Sequence, residues 1–402
     1  MFGWLWSPHT PLSNEQAGVY ASEKMENFRW ASRIFGMHSS HTLTSTDLAP
    51  IELQEELAEI GQFAELAHGH LSPEFIWKHM DILRQPDFPL DGYDALPSSR
   101  LLSAFHGTVS NLQGYVAYRA ERKQLVLAFS GTSSLSQSLH NLDAFLIRYP
   151  YGSGCAVHAG FWKMYNGLRA IALKQLAKAQ LDCEVEEIVF TGHSLGAVMC
   201  CLLALDVMTD DFKAESIPRS STPLPLKLVL FGSPRFGNPA LAQYWEHTVS
   251  SYQRRHGEPS VNEYSVRGFN DGQILPFITS LAHVVFFIGA PTLPPQFLGY
   301  RQAVKKVFYF AHGTLYSIPP SESESTVFKV DDDLDTKTHL IKYPKGGHLY
   351  YNDRNMELLL SRIDWIQVNV SNFGEANWVK RYQEHFFRNA GETGSLSASH
   401  PI

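Results

Sequence analysis

A mostly parallel β-sheet with helices on both faces is the fold class that this 402-residue sequence predicts. Three observations predict it. Short, continuously apolar runs at 125–129, 188–191 and 226–231 are what strands buried on both faces look like. Between them lie longer stretches of helical periodicity, and alternating strand and helix is the pattern of crossover connections. The composition supplies a core: 44% of residues are hydrophobic and 18% charged, against about 25% charged in an ordinary soluble domain.

Taken in order, residues 1–45 are polar, with Ser, His and Thr clustered at 38–47, and are expected to form an irregular arm. Leu53, Leu57, Ile60, Phe63 and Leu66 recur at helical spacing and predict an amphipathic helix over 52–68. Tyr115–Tyr118 and Leu125–Phe129 flank Ala120–Lys123 and read as a hairpin. Helix is expected over 161–180, strand over 188–191 and helix over 194–208. A buried strand follows at 226–231, helix at 239–247 and a further strand at 261–266. The Ser- and Pro-rich stretch 209–225 and the charged stretch 320–337 read as surface loops. The main domain is expected over 46–380, with an apolar insertion at 277–306 and a tail over 381–402.

Composition also excludes. A net charge of −7 argues against a nucleic-acid binder, which needs a basic face to neutralise phosphates. Disorder of the whole chain requires low hydrophobicity. Cys155, Cys183, Cys200 and Cys201 lack metal-ligand spacing, and so few cysteines make no disulfide framework. The start, MFGWLWSP, lacks the basic flank of a signal peptide, and the Asn369-Val370-Ser371 sequon matters only in a secreted chain. The longest apolar run, Phe277 to Ala290, falls short of the roughly 20 residues of a spanning helix. The expected location is therefore cytoplasmic, or peripheral to intracellular membranes or lipid droplets, with no transmembrane segment.

The sharpest local feature is Gly192-His193-Ser194-Leu195-Gly196. A bare G-x-S-x-G arises by chance. Here it follows an apolar strand and opens a helix, the context in which a tight turn lifts a nucleophilic serine above the sheet. A serine hydroxyl near neutral pH needs a histidine base and an orienting carboxylate. In such folds they follow in the order Ser, acid, His.

On these residues the chain resembles the class 3 lipases, the fungal lipase-like branch of the α/β-hydrolases. Leu127–Thr132 is similar to the family's strand ending in F-R-G-T/S. Val157-His158-Ala159-Gly160-Phe161 with Tyr165 resembles its V-H-x-G-F-x-x-x-Y stretch. Thr191–Ala197 matches its elbow, and Phe231–Pro239 its F-G-x-P-R-x-G-N block.

The resemblance implies that Thr132 and Leu195 form the oxyanion hole, with Gly192, His193 and Gly196 shaping the elbow. It implies Asp271, in Asn270-Asp271-Gly272, as the acid, over the competitors Asp331, Asp332, Asp333 and Asp335. For the base, His348 in Gly346-Gly347-His348-Leu349-Tyr350-Tyr351 looks like the family's D-H-x-x-Y segment, with Gly347 where an aspartate is usual. His283, His312, His339, His385 and His400 compete; His312 resembles the family's structural H-x-G block. Leu135, Leu139, Phe286 and Phe287 are candidate substrate-binding residues. Ser138 and Asn141 stand where the family carries tryptophan and aspartate, which implies a less apolar lid.

The implied activity is hydrolysis of acylglycerol esters, with phospholipid or feruloyl esters as alternative substrates. The implied partners are a lipid or other ester and the surface of a lipid phase, with no metal or organic cofactor. The pH profile is expected to rise through an ordinary imidazole at about 6–7. Readings from other classes are a catalytically silent lipid-binding or scaffold protein and a serine peptidase.

Overall fold

The computed structural model describes residues 36–131, 145–209, 224–268, 291–331, 342–343 and 346–393, together with Ser13. Its strands are β1 (His38–Leu43), β2 (Ser99–His106), β3 (Gln113–Arg119), β4 (Gln124–Phe129), β5 (Leu146–Arg148) and β6 (Ala156–His158). They continue as β7 (Glu187–His193), β8 (Leu226–Phe231), β9 (Val261–Gly268), β10 (Val307–Ala311), β11 (Thr314–Ser317) and β12 (Val327–Val330). The α-helices are α1 (Ile51–Ala67), α2 (Pro73–Lys78), α3 (Met80–Leu83) and α4 (Ala159–Asp182). After them come α5 (Leu195–Met208), α6 (Pro239–His256), α7 (Met356–Phe373) and α8 (Trp378–Thr393).

Among the described residues one eight-stranded sheet runs in the order β11-β10-β9-β8-β7-β4-β3-β2. β4, β7, β8, β9 and β10 pair in parallel, while β2, β3 and β11 are antiparallel to their neighbours. The mixed sheet follows from the chain itself. Parallel neighbours need long crossovers, supplied by α4, α5 and α6, whereas Ala120–Lys123 is long enough only for a hairpin.

The central strands divide two cores between them. Along β4, Leu125, Leu127 and Phe129 enter one cluster while Val126 and Ala128 enter the other, the period-2 alternation of a pleated strand. The first cluster is closed by α4, α5 and α6, the second by α1, α7 and α8. α5 is buried all round apart from Val207, which is why its sequence is apolar without an amphipathic stripe. Its one buried charge, Asp206, is paired: Arg169 donates through Nε at 2.6 Å and Nη2 at 3.1 Å, and the Tyr165 hydroxyl donates to the same carboxylate. Tyr165 of the V-H-A-G-F stretch thus locks α4 to α5.

Several stretches differ from expectation. Within the arm expected over 1–45, β1 pairs in parallel with β12, itself inside the expected surface loop 320–337. Both are short and partly polar, and what makes them strands is a partner remote in sequence. α6 runs to His256 rather than 247; nothing in the sequence ends it sooner, and Gly257 at φ 85 stops it. The expected tail over 381–402 begins inside α8. Of the apolar insertion expected at 277–306, residues 277–290 lie outside the described residues. Its end is tied down by Arg235, which donates Nη1 to the Thr292 carbonyl at 2.7 Å and its backbone N–H to the Leu293 carbonyl at 2.8 Å. Among the described residues no helix is long and apolar enough to cross a membrane.

Candidate active site

β7 delivers the chain to Ser194 at the carboxyl edge of the sheet, and α5 carries it away at once. The turn is tight enough to force Ser194 to φ 58 and ψ −121, a region that L-residues occupy only when the surroundings hold them there. Its N–H donates to the Phe231 carbonyl at 2.8 Å, tying the elbow to the end of β8. A Cβ on Gly192 would lie 2.5 Å from the Gly196 carbonyl carbon, and one on Gly196 would strike the Phe129 carbonyl of β4. That is the physical reason for both glycines. Ser194 is 2% exposed, and its Oγ has no hydrogen-bond partner among the described residues.

Leu195 is the first helical residue, so its N–H belongs to the turn that has no intrahelical acceptor. It points an oriented donor at whatever oxygen lies over the elbow. Thr132, the other expected donor, lies outside the described residues; so do Leu135, Leu139, Asp271, His283, Phe286 and Phe287. The described chain reaches Gly131 on one side of the elbow and Gly268, the end of β9, on the other.

His348 is 3% exposed and sits on the loop that precedes α7, entered through Gly346 and Gly347 at φ 58 and 131. Its ring lies against Gly232 of the F-G-S-P block: a Cβ there would fall 2.6 Å from His348 Cε1 and 2.9 Å from Nδ1. The missing side chain at 232 is what makes room for the imidazole. His193 links this loop to the elbow. Its Nε2 donates to the His348 carbonyl at 2.8 Å, which assigns the proton to Nε2, and the two rings are 4.3 Å apart. His68, just after α1, stands 5.0 Å from the His193 ring and directly against Gly131.

The three imidazoles are held neutral. Burial, then the neighbouring His68, pushes His348 down to about 3. Burial, then His348, lowers His193 well below its ordinary value, and burial, then His193, does the same to His68. A neutral imidazole is the form that accepts a proton. The expectation of an ordinary imidazole near pH 6–7 therefore needs correcting downward, because enclosure disfavours the charged ring.

His312 occupies the turn between β10 and β11 at φ 52, two strands out from β8, in a structural hairpin position. Residues that sequence reading left without a part here are His68, Gly232 and Tyr351, whose ring lies 5.4 Å from that of His193; Gly232 and Tyr351 carried a signal as members of motif blocks, and His68 carried none. Among the described residues no group of His, Cys, Asp or Glu is placed to hold a metal ion. What the arrangement does is hold a strained, enclosed serine at the head of α5 and, on a loop tied to the elbow through His193, a neutral histidine.

Comparison with known proteins agrees with that geometry. Residues 126–267 match the family described as Lipase (class 3). The lipase of Rhizopus niveus is 29% identical over 159 residues, 40% of this chain and 39% of that protein. The secreted mono- and diacylglycerol lipase A of Penicillium cyclopium is 32% identical over 151 residues, 37% of this chain and 45% of that protein. The matched stretch thus spans less than half of either relative. The Rhizomucor miehei triacylglyceride lipase structure superposes with a TM-score of 0.53 at 19% identity, covering 78% of this chain and 98% of that one. The Penicillium relative is named as secreted. This finding goes against the expectation of a cytoplasmic or intracellular-membrane location.

Proposed function

We propose that the chain is a hydrolase of the class 3 lipase type, on the α/β-hydrolase fold, and that it hydrolyses acylglycerol esters through an acyl-enzyme on Ser194. The observation that carries the proposal is Ser194 itself, held at φ 58 with its Oγ enclosed and a buried neutral imidazole on the neighbouring loop.

Ser194 Oγ attacks the ester carbonyl as His348 takes its proton, and Asp271 holds the imidazole in the required tautomer. The N–H groups of Leu195 and Thr132 receive the developing oxyanion, each worth about 3 kcal/mol of barrier. His348 then protonates the departing alcohol, and water releases the acid by the same steps in reverse order. No metal or organic cofactor takes part in this scheme. Leu135, Leu139, Phe286 and Phe287 are the residues assigned to contact with the acyl chain in this proposal, and the protein meets its substrate at a lipid surface. Phe297 and Leu298, in the described end of the apolar insertion, are 77% and 46% exposed and support that last point.

The test is a fluorophosphonate label together with tributyrin hydrolysis. Wild type labels and hydrolyses, and Ser194→Ala does neither while keeping its melting temperature. Residual turnover beyond the roughly 10³-fold that binding and the oxyanion hole supply alone would remove Ser194 from the mechanism. Absence of labelling in wild type would leave a silent lipid-binding fold.

A further inference from the structure

Glu65 lies in the last turn of α1 with its side chain 3% exposed. Arg354 meets it fork to fork, Nε donating to Oε2 and Nη2 to Oε1, both at 2.7 Å. The Tyr93 hydroxyl donates to the same Oε2 at 2.6 Å, and the Arg354 guanidinium lies over the Tyr93 ring, 5.3 Å from its centroid. Arg354 Nη2 also donates to the Ala58 carbonyl at 2.9 Å. Residue 354 is thereby fixed to α1 in one orientation.

A buried ion pair contributes little to stability that apolar residues of the same volume would not match. What it does supply is geometry, since a planar guanidinium accepts a carboxylate bidentately in one register only. The element so held is the loop of His348. Arg354 donates its backbone N–H to the Tyr351 carbonyl at 2.9 Å, and between them Asn352 and Asp353 are both left-handed, at φ 52 and 58. Consecutive non-glycine residues persist there only when their surroundings over-determine them. The other end of the loop opens on two glycines at positive φ, Gly346 and Gly347, which lack the side-chain constraint of Asn352 and Asp353, although Gly346 donates its N–H to the Tyr343 carbonyl at 3.0 Å. His348 is therefore positioned from the Arg354 side as well as by His193, which holds its carbonyl.

Resting on the reading of His348 as the base, we infer that Glu65, acting through Arg354, is a positioning residue that sets how far His348 reaches toward Ser194. α1 then serves both halves of the site, because its C-terminal neighbour His68 packs under Gly131 at the approach to the oxyanion loop.

The experiment uses the full chain, a soluble short-chain p-nitrophenyl ester, and fluorophosphonate titration to count folded sites. Arg354→Lys keeps the charge and loses the fork. Per titrated site, its kcat is expected to fall about 10- to 100-fold, the scale of a displacement near 1 Å, with KM within about twofold. The apolar pair Glu65→Met with Arg354→Leu removes both charges together. It is expected to melt near wild type and to remain as slow as Arg354→Lys. Glu65→Asp, which keeps a carboxylate, should recover part of the rate. Wild-type kcat in Arg354→Lys or in the apolar pair overturns the inference, as does a loss shared equally by kcat and KM. His348→Ala is run beside them. If it keeps wild-type turnover, the base assignment has failed; if it is inactive while Arg354→Lys is not, only the positioning role has.

Discussion

Gly232→Ala tests the packing between the F-G-S-P turn and the proposed base. The added methyl would lie 2.5 Å from Tyr351 Oη, 2.6 Å from His348 Cε1 and 2.9 Å from His348 Nδ1. Ordinary contact is about 3.6 Å, so the imidazole must retreat by roughly 1 Å. Gly232 also sits at φ 60, where an L-residue costs about 1–2 kcal/mol. Overpacking in a closed site adds about 1–3 kcal/mol, for a total stability loss of about 2–5 kcal/mol. A displacement of that size at a catalytic group costs on the order of 10²-fold in rate. The assay is kcat on a soluble ester, per fluorophosphonate-titrated site, with melting temperature measured alongside. The expected result is a kcat loss well beyond any loss of folded protein. Turnover within about threefold of wild type at an unchanged melting temperature would show that His348 does not need this space, and would refute the reasoning.

Burial raises Glu263 to about 7, with Trp245 Nε1 donating to its carboxyl at 2.6 Å. The folded state thus favours the protonated form, and stability present below the unfolded value near 4.5 is lost as pH rises through 7. Glu263→Gln, which keeps an acceptor for Trp245, should therefore gain about 2–3 kcal/mol at pH 8 and nothing at pH 4, by urea denaturation; equal effects at both would sink the assignment. The buried histidines act in the opposite direction. Burial lowers His158 to about 4 and His348 to about 3, with His68 and His193 also lowered, so stability falls as pH drops below 6.5. In a Glu263→Gln background the unfolding free energy should therefore fall as pH drops from 6.5 to 5, and a flat profile over that range would contradict it. Asp206→Ala strands Arg169 and the Tyr165 hydroxyl between α4 and α5 and should cost about 3–5 kcal/mol, read from chemical denaturation; a loss under about 1 kcal/mol would mean the pair is structurally idle. Phe286→Ser and Phe287→Ser are expected to slow long-chain esters selectively, and equal loss on short and long esters would make that stretch ordinary core.

The fold class, the central strands and the nucleophile turn were legible in the sequence because each rests on local causes. A strand buried on both faces is apolar over most of its length, as β4 and β8 are, and a serine turned this sharply needs glycine two residues before and after it. Helix α1 was legible because its large apolar side chains recur at the helical period, although from Ile60 to Ala67 the structure buries it on every side. What the tertiary structure alone decided depends on partners far apart in the chain. β1 and β12 are strands only because they find each other. Gly232 was visible as part of a motif, but its purpose appears only when the His348 ring is seen against it. Glu65 reads in sequence as one more charge on a helix, solvated by default; its burial against Arg354, 289 positions away, is set by how two loops and a helix converge. The downward shift of His348 has the same origin. A side chain's type sets its ordinary proton affinity, but the water it loses on folding depends on neighbours that no spacing along the chain records.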